Sequence, residues 1–161
     1  MFYEESLSFT QGTIGLILGF NGLVVFITEM PLVKFAELKF NIYVNIILGT
    51  LLLFLSFACL LISDSLISCL ISMFFLSISE ILVLPFIATV AAKRSVEKNR
   101  GAYMGLQGLS ISLAFVVMPI LATQLVAHSS FNHLWWINLL ILTLVCLGFY
   151  LTKRKMPINE V

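Results

Sequence analysis

Between Leu66 and Ala91 the chain carries one charged residue, Glu80, near the middle of an otherwise apolar run. About 20 apolar residues in a helix cross the roughly 30 Å of hydrocarbon in a bilayer, so this run is long enough to span one. Four similar runs accompany it, and the expected spans are residues 12–33, 41–62, 66–91, 102–127 and 134–151. Lipid offers no hydrogen-bond partner to the backbone, so unbroken apolar runs of this length must be helical there. None shows the strict alternation that a transmembrane barrel strand needs. The fold class that follows is all-α, a polytopic helical membrane protein with five transmembrane helices in one membrane domain. Composition agrees: 60% of the residues are hydrophobic and 11% charged, against about 25% charged in an ordinary soluble domain.

The net charge of +1 is uninformative, but the placement of the charges is not. Lys34 and Lys39 fall in the first link; Lys93, Arg94, Lys98 and Arg100 in the third; Lys153, Arg154 and Lys155 in the tail. These are all 9 basic residues of the chain. The opposite side, made of the N-terminus, the Asp64 turn and the His128–His133 turn, has none. Basic loops mark the cytoplasmic side, which predicts an inner-membrane protein with cytoplasmic basic loops and C-terminus and an external N-terminus. On this topology Phe131, Trp135 and Trp136 are expected at the outer headgroup level. Nothing before Gly12 resembles a positively charged leader that would carry the N-terminus across. The chain therefore reads as the C-terminal part of a larger protein.

Polar residues are shared unevenly among the spans. The second and fifth hold no charge and are expected to form a lipid-facing wall. The first, third and fourth carry Asn21, Thr28, Glu29, Ser72, Ser77, Ser79, Glu80, Gln107, Ser110, Ser112 and Gln124. Such groups must face protein or a wet cavity. Gly15, Gly19 and Gly22 share one face of the first span, and Gly101, Gly105, Gly108 and Ser112 one face of the fourth. Faces without Cβ bulk let helices approach closely in lipid.

Glu80 is the leading candidate for chemistry. Low dielectric disfavours an ionised carboxylate, so such a group can take a proton when sealed and release it when water arrives. It can equally be a structural acid locking helices together. Asn21 sits deep on a Gly-rich face, suited to an interhelical hydrogen bond or to a ligand. Glu29, about one turn from the expected end of its span, is placed to pair with a basic residue of the links. Cys59, Cys69 and Cys146 show no metal-ligand spacing and read as core or lipid-facing residues. No nucleophile set, phosphate-binding loop or metal cluster is apparent, so neither cofactor nor metal is expected, and no nucleic acid among the partners.

Three stretches resemble the C-terminal half of a major facilitator superfamily transporter, spans eight to twelve of twelve. They are Ile14–Val33 (IGLILGFNGLVVFITEMPLV), Ser79–Val90 (SEILVLPFIATV) and Asn99–Pro119 (NRGAYMGLQGLSISLAFVVMP). The resemblance implies most of one half-bundle of that fold, completed by an N-terminal half outside this sequence. It implies alternating access about a midplane site, with Glu80, Asn21 and Gln107 binding proton or small-molecule substrate. Glu29, Arg100, Gly101 and Gly105 would shape the cytoplasmic interface. The link from Pro31 to Phe40 lacks the Gly and the Arg pair of the family's loop signature, and Met118-Pro119 replaces a Gly-Pro that many members have. The function so implied is proton-coupled export of small molecules. The alternative is a non-transporting structural or regulatory subunit that packs through its Gly faces. An intramembrane enzyme is disfavoured, because Glu80 has no second catalytic group at matching depth.

Overall fold

The computed structural model describes residues 2–63 and 65–155. Asp64, expected in an outer turn, lies outside the described residues. Five helices follow a π-helical turn over Phe2–Ser6: α1 (Gln11–Lys39), α2 (Ile42–Ile62), α3 (Leu66–Arg94), α4 (Arg100–His128) and α5 (Phe131–Lys155). Each has the length and apolar character to cross a membrane. This is a multi-pass helical membrane protein.

The starts of the first three helices are set by local chemistry. Thr10, Asn41 and Ser65 each lie in extended backbone and accept a hydrogen bond from the amide of Thr13, Tyr43 and Ser68 respectively. That satisfies one of the amides a helix start leaves without a partner. Lys39, Lys93 and Arg94 sit in the last turns of α1 and α3, where a cation complements the negative end of the helix dipole.

The first helix is longer than its apolar run. It passes through Pro31 and continues to Lys39. Proline is tolerated inside membrane helices because neighbouring groups re-satisfy the freed backbone, and the link after it is rich in helix-forming residues. Tertiary contact completes the extension: Ala36 is buried, and its carbonyl accepts from the Asn45 side chain on α2 at 3.1 Å.

The packing is centred on α2 and α3, with α1 against α3 and α5 against α2. One apolar cluster gathers Ile17, Leu60, Cys69, Met73 and Trp135 at the end without basic residues. A second joins Ala36, Ile42, Ile46, Leu82 and Phe86 at the basic end. Between α2 and α3 the helices approach closely at Gly49, where a Cβ would stand 2.5 Å from Val83 Cγ2, 3.1 Å from Leu82 Cβ and 3.2 Å from the Ser79 carbonyl oxygen. Serines stitch the same seam: Ser68 Oγ donates to the Cys59 carbonyl at 2.7 Å and Ser56 Oγ to the Ser72 carbonyl at 2.9 Å.

Three expectations change here. The second span is not merely a lipid-facing wall, because its polar residues Asn45, Thr50 and Ser56 are buried in the bundle. The glycine faces of α1 and α4 meet nothing: at Gly15, Gly19, Gly22, Gly101, Gly105 and Gly108 a Cβ would stand in open space. Trp135 turns inward rather than to a headgroup layer, 8% exposed and stacked on Phe57, while Trp136 stays 64% exposed. Consecutive helical residues point about 100° apart, so the two indoles cannot share an environment.

Candidate functional site

Midway along α3 one of the expected site residues, Asn21, is joined to a serine of that helix. Asn21 Nδ2 on α1 donates to Ser77 Oγ on α3 at 3.0 Å, and Ser77 in turn donates to the Met73 carbonyl at 2.8 Å. Ser77 is fully buried and Asn21 half-buried. The interhelical role expected of Asn21 is therefore the one it fills within this chain. Glu80 follows Ser77 by three residues. It lies about 21 Å from either end of α3 at 1.5 Å per residue.

The Glu80 side chain is exposed. Leu84, one turn on along the same side of the helix, is also open, at 54%. Among the described residues no helix covers Glu80 and Leu84; α4, the third helix with polar content, packs only marginally on α3 and buries none of its residues. A carboxylate at mid-helix on an apolar, uncovered face needs shelter from outside these five helices if it is not to meet lipid.

The remaining candidates are dispersed. Gln107 is half-buried on α4, and among the described residues no hydrogen bond joins it to Glu80 or Asn21. Arg100, Gly101 and Gly105 open α4 at the basic end and are exposed. Glu29 is exposed on α1, and the extension of that helix to Lys39 puts it about 15 Å from the helix end rather than one turn away. No ion pair forms at Glu29 among the described residues, which removes the pairing expected from the shorter span.

Two polar contacts at the basic end were not anticipated. Arg94, in the last turn of α3, donates from Nη2 to the Tyr43 hydroxyl at 2.6 Å, and Tyr43 is buried at the start of α2. Asn45, two residues on, holds α1 through Ala36 and has a buried Oδ1 without a hydrogen-bond partner. A tyrosine opening one span opposite a cation closing the next was the legible signal. Hydrogen bonds to charged groups contribute about 1.5–3 kcal/mol, so Tyr43→Phe is expected to lower the unfolding free energy of the detergent-solubilised chain by about that amount. A denaturant titration followed by circular dichroism measures it, and an unchanged midpoint would show the contact to be idle.

With this geometry in hand, comparison with known proteins is decisive on one point. The sequence pattern of the Major Facilitator Superfamily matches residues 1–160. The chain belongs to that superfamily. It is similar to an uncharacterized MFS-type transporter, YttB, of Bacillus subtilis (strain 168), with 24% identity over 155 residues. The match covers 95% of this chain but 38% of that relative, so this facilitator chain spans well under half the relative's length. No solved structure matches it. The family resemblance expected from the three quoted stretches and the five-helix fold class are thus both borne out.

Proposed function

We propose that these helices form most of one half of a secondary transporter that exports small molecules against a proton gradient by alternating access. Family membership supports membrane transport over catalysis. The observation that carries the finer reading is Glu80, a lone carboxylate at mid-helix on an uncovered face, beside the Asn21–Ser77 bond that holds α1 to α3. In this reading the N-terminal half, absent from this sequence, closes over that face. Glu80 then binds the proton or a cationic group of the substrate, with Asn21 and Gln107 as polar groups of the cavity. Arg100, Gly101, Gly105 and Glu29 meet the other half at the cytoplasmic side. The basic end faces the cytoplasm, in accord with the confinement of Lys and Arg to the links and tail. The inner membrane is the site of action.

Proton binding has a test that requires no knowledge of the substrate. In the assembled transporter in lipid vesicles, infrared difference spectra across a pH titration are expected to show a protonated carboxyl stretch that is missing in Glu80→Gln. Identical carboxyl spectra for the two proteins would remove Glu80 from the mechanism. A second reading has its own support in the open glycine faces of α1 and α4, which suit a structural or regulatory subunit docking on a partner helix. Crosslinking from positions 15 and 19 to a partner, together with retained function of Glu80→Gln, would favour that subunit.

A further inference from the structure

Ser56 and Ser72 make two contacts across the α2–α3 seam, and proton counting limits what else they can do. Ser56 Oγ donates to the Ser72 carbonyl at 2.9 Å, and the two hydroxyl oxygens lie 3.0 Å apart. A hydroxyl has one proton and two lone pairs. With the Ser56 proton on the carbonyl, Ser72 is the donor in the second contact, and Ser72 Oγ keeps lone pairs that can receive a proton.

These serines line a cavity of about 170 Å³ at the end of the bundle without basic residues. Phe57 and Trp135, stacked on each other at 5.5 Å, line it together with Leu60 and Leu76. Phe2 stands edge-on to Trp135 at 5.1 Å, and Tyr3 joins it at the rim. Burial, and then the neighbouring Cys69, push the ionisation of Tyr3 upwards, so the rim presents a neutral phenol rather than a charge. An apolar cavity of about 150 Å³ takes up one benzene, so the space here suits a single six-membered ring with one small substituent.

We propose that this cavity binds a small neutral phenol, its ring among Phe57, Trp135, Leu60 and Leu76, its hydroxyl donating to Ser72 Oγ. A plain hydrocarbon ring would fill the space but leave the Ser72 lone pairs unmet. The site is separate from the transport reading. It lies among α2, α3 and the start of α5, whereas Glu80 stands about two turns beyond Ser72 along α3 on an exposed face.

The test uses the full chain in phosphatidylcholine nanodiscs with phenol and toluene as probes. Trp136→Phe leaves Trp135 as the reporter of the 2 tryptophans, and emission is corrected for partition into empty discs. Phenol is expected to give a saturable change, with toluene weaker by about tenfold, the loss of one hydrogen bond. Ser72→Ala is expected to erase that ratio, and Leu76→Phe, which fills the space, to remove saturable binding of both while the helical circular dichroism is retained. A response that stays linear in phenol overturns the proposal, as does a phenol-to-toluene ratio of one in the parent chain. Undiminished binding in Leu76→Phe overturns it as well.

Discussion

Glu80→Gln in the assembled transporter is expected to reduce proton-driven flux to the background of empty vesicles while the protein still inserts and folds. Glutamine keeps the size and a hydrogen-bonding carbonyl but cannot exchange a proton, so the substitution isolates titration from packing. Folding of this half should be spared because the side chain is exposed within these five helices and, among the described residues, no hydrogen bond ends on it. Two readouts separate the outcomes. Flux driven by a pH gradient should vanish, whereas exchange of substrate between equal concentrations, which needs no net proton movement, should continue. Undiminished gradient-driven flux would reject Glu80 as the coupling group, and loss of both modes would assign it to substrate binding instead.

The second large effect is on stability and falls on Gly49. The α2 and α3 backbones meet there so closely that a Cβ would overlap the Val83 side chain and press on Leu82 and the Ser79 carbonyl. Val83 can turn aside, but a backbone carbonyl cannot. Gly49→Val adds bulk on every side, and overpacking of this kind costs about 1–3 kcal/mol. A destabilisation of that size, read as a lower denaturation midpoint in detergent, is expected for Gly49→Val. Gly19→Val, whose site faces open space, should leave the isolated chain unaffected. Equal effects at the two positions would mean that the α2–α3 contact is looser than these distances require.

Much of the architecture was readable because membrane helices answer to a local rule. Apolar length alone produces a spanning helix when water is absent, and short polar links carrying Thr10, Asn41 and Ser65 supply the caps. Local rules failed where a neighbour decides. The first apolar run stops at residue 33, yet α1 runs on to Lys39 because Ala36 has a place to pack and a donor for its carbonyl. Glu29 was misplaced for the same reason. The glycine stripes of α1 and α4 were conspicuous in sequence, while the lone Gly49 was not, because a small residue says that a close approach is permitted but not with what.

Residue order was enough to establish five apolar helices, a segregated basic end and a carboxylate at the middle of the third. Those properties depend on solvation and run length, which each segment carries within itself. Which glycine meets a partner, which tryptophan turns inward, that Asn21 holds Ser77 and that Glu80 stands uncovered all depend on the rotation of one helix against another. That rotation is a property of the packed set, set by side-chain fit across seams that no single segment contains.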